Sequence, residues 1–480
     1  MKISSVLKQK KGDIPVWVWM VFAIIPVCFY CIYLYDDIVI TTEDGIAFWY
    51  ALLDQGSLNK YYVTPYPFRD GGYPLYDFFI YIIFAIWDLP LYIYEKISKI
   101  SFGQNYFLIL YAKSIVIFFL VIGVKELKKI VYHITNDEKK AYLSCFTYFF
   151  SVTTLQAVVI ISGYDVISLF FTLCGIFAYL NKQDKKFIIY FSCAIGCKMF
   201  ALWVFIPLVL LRYKKVWKVI LAFLCGIGIM VIPKLYFLLY QTISGVQVLS
   251  EQEGMLTSAN AVHYINDYLW SGEAPIATIF IPWLFFFTFI LWVWCWFNKK
   301  QLSDKMIIYV CLIGMSIFML TCFTHSQWML LIMPYIAILE CDTWVNLSEK
   351  LFCEVCMGFG HILWMVRHSS QLYSYCIVNN MLRLEDKKDE FFYTGIWQYI
   401  SKLESISRIS IDHIFIVFRG IFVASFVLLL IYLYPKASKQ ESHIKSTESG
   451  STKLFYLKAI VSMSVLLIPL LGVINRMLGL

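Results

Sequence analysis

Long apolar stretches, separated by short polar ones, recur along the whole chain. The first covers residues 15–34, which at about 1.5 Å per residue is long enough to cross a bilayer. It has no small-residue cleavage site and is longer than the core of a signal peptide, so we expect a helix that is retained. The pattern predicts an all-α, multi-pass (polytopic) integral membrane protein.

The spanning-length criterion predicts about thirteen transmembrane helices. Two of them form a hairpin, because residues 187–211 are basic at both ends but, at about 25 residues, are too short for two full crossings. Two short helices that turn near Gly196, Cys197 and Lys198, held at depth by neighbouring protein, satisfy both observations. The other predicted helices cover residues 15–34, 106–124, 141–161, 166–180, 216–240, 276–297, 306–323, 328–339, 351–366, 414–434 and 454–473.

Residues 78–94 are also apolar, but Asp88 and Pro90 interrupt them, and two interpretations compete. If this segment spans the membrane, the basic cluster at 125–129 lies outside the cell. If it lies in the membrane interface, that cluster is cytoplasmic, as the positive-inside rule requires. We therefore predict an interfacial segment, which follows a first extracytoplasmic loop at residues 35–77.

The composition is typical of a membrane protein. Hydrophobic residues make up 60% of the 480, charged residues 15%, and the mean hydropathy is +0.70, which excludes a soluble protein folded around one core. The net charge of +8 falls mostly in short clusters between apolar runs, so it does not require a nucleic-acid partner. The 14 cysteines lie mostly within apolar segments, with no histidine at metal-ligand spacing, and we interpret them as core residues.

The sequence predicts one membrane domain in two parts. Residues 1–211 form a core with the first two extracytoplasmic loops, and residues 212–480 add further helices. Two more large extracytoplasmic loops are expected at 241–275 and 367–411, and the Ser- and Lys-rich residues 436–453 are expected to be a cytoplasmic linker. On this topology the C-terminus faces outside.

Two short motifs on the predicted outer side carry a family resemblance. One is EDGIAF at 43–48, after the first helix, and the other is SGYD at 162–165, after the third. Together they resemble the pattern of GT-C glycosyltransferases, the superfamily of oligosaccharyltransferase catalytic subunits, protein mannosyltransferase-like enzymes and polyprenyl-phosphate-sugar transferases. The resemblance implies a GT-C-like fold in which Asp44 and Asp165 face a cavity where a lipid-linked sugar donor meets its acceptor.

The chain departs from the oligosaccharyltransferases in two respects. It has no Trp-Trp-Asp-Tyr-Gly motif and no C-terminal globular domain, so transfer to an asparagine sequon is not expected. Its second loop has one acid where the metal-binding members have two. A divalent metal, Mg or Mn, is an alternative left open, and we assign no residue as a metal ligand.

Glycosyl transfer needs a base for the proton of the acceptor and positive charge for the departing phosphate. We predict Asp44 as the general base, with Glu43 as an ambiguous neighbour and Asp165 as a second acid. The alternatives are a turn residue at Asp44 and a helix cap at Asp165. The adjacent acids Asp36 and Asp37 are interpreted as solvated loop residues.

Binding of the phosphate or sugar is predicted for a further set of polar residues. Lys198 comes first, because a lysine at that depth is costly unless it has a partner or faces water; the alternative is that it snorkels to the interface. The other candidates are His325, Gln327, Arg69 and Lys113.

The expected function is inverting transfer of a hexose or pentose from a polyprenyl-phosphate donor to a glycan or lipid-linked glycan. Because nucleotide sugars are absent outside the cell, a donor delivered in the bilayer fits a site on the extracytoplasmic side, for example of a bacterial plasma membrane. The alternative is a transporter or flippase of lipid-linked glycans, but the sequence lacks the paired repeats common in such proteins. A third possibility, a non-catalytic assembly protein, requires Asp44 to be inert. The expected partners are donor, acceptor and membrane lipids, and no nucleic acid.

Overall fold

The structure is a computed structural model that describes most of the chain. It covers residues 16–63, 66–68, 74, 76–244, 277–321, 325–342, 345–365, 402, 404–406, 410–435 and 448–470. These residues form α-, 3-10 and π-helices and no β-strand. The all-α prediction is confirmed for this part of the chain.

Sixteen α-helices are described. In chain order they are α1 Val16–Ile32, α2 Asp36–Trp49, α3 Phe78–Ser98, α4 Tyr106–Thr135, α5 Glu138–Phe149, α6 Val152–Thr154, α7 Asp165–Leu180, α8 Asp184–Cys197, α9 Leu202–Arg212, α10 Val216–Ser244, α11 Ala277–Phe297, α12 Asp304–Thr321, α13 Met333–Glu340, α14 Leu347–Met365, α15 Ile411–Leu433 and α16 Glu448–Met463. Two π segments, Tyr50–Asp54 and Leu155–Ile160, continue α2 and α6, and a 3-10 segment, Ser326–Ile332, precedes α13.

Six of the described helices are long and apolar enough to cross a membrane, or seven if the bent pair of α5 and α6 counts as one span. The chain is therefore a helical membrane protein. The count is below the predicted thirteen because several apolar runs give shorter helices, such as α1 with 17 residues and α7 with 16. The candidate spans are Phe78–Ser98, Tyr106–Thr135, Val216–Tyr240, Asp304–Thr321, His413–Leu433 and Thr452–Leu470.

Several predicted helices differ from expectation, and two of them have a clear physical reason. α4 continues through the basic cluster to Thr135, because Lys, Glu and Leu favour a helix after the apolar run stops. The single helix expected at 141–161 is instead α5 and α6, bent by 51°. Ser151 marks the bend, since its hydroxyl accepts a bond from the backbone N–H of Thr154 at 3.0 Å.

The predicted hairpin of two short helices is confirmed. α8 has 14 residues and α9 has 11, and both are too short to cross a bilayer. Between them Lys198 is extended, with φ −157° and ψ 121°, and a 3-10 turn at Met199–Ala201 leads into α9. The turn therefore lies at the predicted lysine.

The first predicted loop is largely helical, which corrects the expectation of an irregular segment at 35–77. α2 occupies its first part, and the Asp44-Gly45 pair lies inside this helix instead of at a turn. Gly45 permits close packing of α2 on α3, because a Cβ at this position would lie 2.8 Å from the Cβ of Phe84. Helix packing at a small residue therefore outweighs the local turn preference of Asp-Gly.

The two ends of α3 have identifiable neighbours in the bundle. Its first residue follows Asp77, near the α8–α9 turn, and its last turn is joined to α4 by residues 99–105. The start of α4 adjoins the end of α1, because the Tyr106 hydroxyl donates to the carbonyl of Cys31 at 3.2 Å. α3 passes the length and composition test for a span, but this connectivity favours the predicted interfacial position.

The basic segments meet at the opposite end of the bundle. Lys305 lies 2.7 Å from a carboxylate oxygen of Asp342, whose backbone carbonyl accepts from Lys140 at 2.5 Å. Lys214 donates to the carbonyl of Cys295 at 2.7 Å, which brings the connection after α9 to the end of α11. Clusters that the sequence predicts on one side of the membrane thus lie together.

Several predicted features fall outside the described residues. They include Arg69, most of the loops at 241–275 and 367–411, and the first part of the linker at 436–453. The last residues of that linker, from Glu448 on, belong to α16.

Candidate functional site

A buried ion pair lies at the α8–α9 turn. The Lys198 ammonium is 2.9 Å from Oδ1 of Asp165, and their side chains are only 15% and 2% exposed. An ion pair removed from water is costly unless each charge is well compensated. Two residues predicted separately from the sequence are therefore direct partners, and Lys198 does not snorkel.

Aromatic rings surround the Lys198 ammonium. It lies 4.7 Å from the ring centre of Tyr164 and 5.8 Å from those of Tyr76, Phe200 and Trp328. At these distances the ring faces attract a cation. Aromatic faces next to charged groups are also typical surfaces for packing against a ligand.

The ammonium keeps its charge in this setting. Burial lowers the pKa of Lys198, but the carboxylates of Asp165 and Asp37 and the Tyr76 side chain raise it, and the net pKa lies above the ordinary value. A lysine that stays protonated can hold an anion.

A strained segment places Asp165 beside Lys198. After the π segment, Ser162 adopts a left-handed φ of 58°, and the N–H of Gly163 donates back to the carbonyl of Ala157 at 2.7 Å. π segments and strained residues often occur at functional sites. Asp165 is the first residue inside α7, and Tyr164 holds the cap position. The alternative role of Asp165 as the helix cap is therefore wrong.

His325 and Gln327 lie at the start of the 3-10 segment Ser326–Ile332, and the charge of Lys198 acts on His325. Gln156 donates to the Ser326 hydroxyl at 2.7 Å and so ties the π segment to the 3-10 segment that carries Gln327. The His325 ring is 4.7 Å from that of Trp328. Burial and the Lys198 charge lower the pKa of His325, so the imidazole is neutral near pH 7. It can donate or accept a hydrogen bond, but it adds no positive charge.

Asp37 faces this cluster, which corrects its interpretation as a solvated loop acid. It lies in the first turn of α2 and is half-buried. Its Oδ2 is 3.5 Å from Nε2 of Gln327. Burial lowers the pKa of Lys198, and the charge of Asp37 helps to raise it, after the larger contributions of Asp165 and Tyr76. The acid itself was noted in the sequence, but its role was misjudged because the 14-residue helix α2 was taken for a loop. Nothing is described for the Asp36 side chain.

Asp44 lies two turns after Asp37 in α2, on the same face of the helix. Its side chain is fully buried, and Oδ2 accepts a bond from the Tyr81 hydroxyl at 3.1 Å. Its backbone carbonyl accepts from Tyr61 at 2.9 Å. Because α2 is a helix, Glu43 points about 100° away from Asp44. Asp37, by contrast, carries a charge that acts on the Lys198 ammonium.

Lys113 serves the framework. Its ammonium donates to the backbone carbonyls of Tyr30 and Tyr33, at the carboxyl end of α1, and its side chain is fully buried. Carbonyls at a helix end attract a cation. The contacts of Lys113 favour a structural role over the predicted phosphate binding.

A second lysine near the site was not predicted. Lys234 of α10 lies 2.6 Å from Oδ1 of Asp77, the residue before α3. In the sequence Lys234 stands within an otherwise apolar span, where no spacing links it to Asp77. The packing of α10 against α8 and α3 brings the two together; the ring of Phe78, next to Asp77, is 5.2 Å from that of Phe237 on α10.

The described acids of the site are too few for a metal centre. Among the described residues, no three His, Cys, Asp or Glu side chains come together as a metal site would require. Mg²⁺ prefers six oxygen ligands and usually keeps several waters. Asp37 instead contacts Gln327, and Asp165 is paired with Lys198.

Comparison of the chain with protein-family models, curated proteins and solved structures finds no match in any of the three. The resemblance to GT-C glycosyltransferases therefore stays a prediction.

Proposed function

We propose that the chain is an inverting membrane glycosyltransferase that moves a sugar from a polyprenyl-phosphate donor to an extracytoplasmic glycan or lipid-linked glycan. The observation that carries the proposal is the Lys198–Asp165 pair at a buried turn, with Asp37 and aromatic rings beside it. A cation, a carboxylate base and apolar ring faces are the groups that glycosyl transfer from a lipid phosphate needs.

Asp37 is the proposed base, in place of Asp44. Asp37 is half-buried, lies 3.5 Å from Gln327 and acts on the ammonium through its charge, whereas Asp44 is fully buried and bonded to Tyr81. The acceptor hydroxyl gives its proton to the Asp37 carboxylate as its oxygen attacks the anomeric carbon. The bond from that carbon to the phosphate oxygen breaks on the opposite face, and the electron pair leaves with the polyprenyl phosphate.

Lys198 is proposed to stabilise the departing phosphate. Negative charge grows on the leaving oxygen in the transition state, and an ammonium held in a water-poor site stabilises it more than it does in water. Asp165 is a positioning residue, because it fixes the ammonium at the turn. Tyr76, Tyr164 and Trp328 supply ring faces on which the sugar can pack.

A transfer assay with purified protein tests the proposal. A radiolabelled polyprenyl-phosphate sugar is supplied, and release of polyprenyl phosphate is measured in the presence of candidate acceptors. Asp37→Asn keeps the shape of the side chain and removes its basicity, so turnover should fall by about 10²-fold or more. Glu43→Gln, on a different face of α2, is the matched control and should keep turnover near normal.

Three outcomes contradict parts of this proposal. Near-normal turnover of Asp37→Asn with loss of turnover in Asp44→Asn would restore Asp44 as the base. Loss in Glu43→Gln alone would move the base to that residue. If no donor is ever cleaved but labelled lipid crosses the bilayer of reconstituted vesicles, the chain is a flippase.

A further inference from the structure

One carboxylate beside the site is paired with Lys234 of α10, and the charge of Lys198 also acts on it. Asp77 precedes α3, and its side chain makes no capping bond to that helix. Burial raises the pKa of Asp77, while Lys234 and Lys198 both pull it down. Both ammonium groups therefore act on the same carboxyl. Lys234 and Asp77 have no part in the reaction proposed above.

The packing of α10 on α8 sets the position of Lys234. A Cβ added at Gly196 would lie 2.6 Å from Cγ2 of Ile229, so the helices touch at this level. Lys234 is five residues, or about 7.5 Å, further along α10, and Lys198 is two residues beyond Gly196. Because α8 and α10 both run away from the basic end of the bundle, the two lysines extend past the same end of α8.

α10 is exposed along much of its length around Lys234. Only 11% of its spanning window is buried, and the Lys234 side chain is 24% exposed. Ile232, Leu235 and Leu239 are 68%, 52% and 60% exposed. An exposed apolar surface beside a lysine matches a lipid with a long apolar chain and an anionic group.

We propose that Lys234 and Lys198 together bind the phosphate of a prenyl-type lipid carrier, and that the Asp77 carboxylate occupies the place of that phosphate in this structure. Phosphate oxygens accept charge-assisted bonds from both ammonium groups, as the carboxylate does from Lys234. The carrier enters alongside α10 and displaces Asp77. The identity of the lipid rests on the proposed function, whereas the lysine pair does not.

Binding of farnesyl phosphate to the full chain in lipid nanodiscs, without acceptor, tests the inference by calorimetry. Lys234→Gln should weaken binding by about tenfold or more, because one charge-assisted partner is lost. Asp77→Asn should tighten binding several-fold, because the competing carboxylate becomes neutral. If the ion pair only holds the structure, Asp77→Asn should weaken binding as Lys234→Gln does, because both variants disturb the same contact.

Three controls complete the experiment. Lys218→Gln removes an exposed lysine near the other end of α10 and should leave binding unchanged. Farnesol lacks the phosphate, and its binding should be weak and insensitive to Lys234→Gln. Weaker binding in Asp77→Asn, or unchanged binding in Lys234→Gln, would overturn the proposal. Inorganic phosphate that binds as tightly as farnesyl phosphate would overturn its lipid part.

The two proposals fail in different ways. Normal farnesyl phosphate binding with the predicted variant effects, but no sugar transfer with any acceptor, would contradict the glycosyltransferase and leave the lipid-phosphate site standing. Sugar transfer that depends on Asp37 but not on Lys234, in binding or in KM, would contradict the lipid-phosphate site alone.

Discussion

At the scale of single residues, the site is defined by how buried charges are compensated. Lys198 stays charged because Asp165 touches it and Asp37 lies near, whereas His325, beside the same ammonium, is held neutral. The sequence predicted Asp165, Lys198, His325 and Gln327 as site residues, because charged or polar side chains in a membrane protein are costly unless they have a partner or a function. It predicted Asp44 as the base, whereas we propose Asp37, because the two acids lie on one face of α2 and only the packing of that helix shows that Asp44 is fully buried and Asp37 is half-buried.

The lowered pKa of His325 predicts a pH effect on stability. In the unfolded chain a histidine titrates near pH 6.5, and in the folded protein its pKa is lower. Below about pH 6.5 the unfolded state therefore binds a proton that the folded state excludes, so stability falls as the pH falls. His325→Gln should reduce the loss of apparent melting temperature between pH 7.5 and pH 5. The same variant at pH 8, where both states are neutral, is the control, and an unchanged loss would contradict the prediction.

At the scale of helices, periodicity and length predicted some elements and missed others. The α8–α9 hairpin was predicted from two observations: the segment is basic at both ends, and it has too few residues for two full crossings. α2 was missed because Asp44-Gly45 has the composition of a turn, and only contact with Phe84 explains a glycine there. Lys234 was missed for a related reason, since its partner Asp77 comes from a distant part of the chain. Tertiary contacts decide such cases, and no local pattern contains them.

Gly45 provides a test of the α2–α3 packing. Alanine would place its Cβ 2.8 Å from the Cβ of Phe84, closer than real contacts allow. Overpacking of this kind costs about 1–3 kcal/mol, which exceeds the gain of about 1 kcal/mol in helix propensity. We expect Gly45→Ala to lower the apparent melting temperature. Gly420→Ala is the matched control, because a Cβ there meets nothing within 4 Å and should be neutral or stabilising. Equal effects of the two substitutions would show that α2 is not packed in this way.

At the scale of the whole molecule, charged groups divide between the two ends of the bundle. One end carries basic segments bound to acids and helix carbonyls, as between Lys305 and Asp342. The other end carries Lys198, Asp165 and the start of α2. A bundle with one basic end has a preferred orientation in a membrane. The sequence predicted this division from charge alone, and the packing of the helices agrees with it.

This division predicts which positions an impermeant thiol reagent reaches from outside intact cells, in a background without the native cysteines. Tyr76→Cys lies at the site, Gln104→Cys follows α3, and Lys125→Cys lies near the other end of α4; all three positions are exposed. If α3 lies in the interface, positions 76 and 104 are on the same side, and both should be labelled while position 125 is protected. If α3 crosses the membrane, positions 76 and 104 fall on opposite sides and only one is labelled. Labelling of position 125 with protection of position 76 would place the site in the cytoplasm, where nucleotide sugars are available and a lipid-linked donor is no longer required.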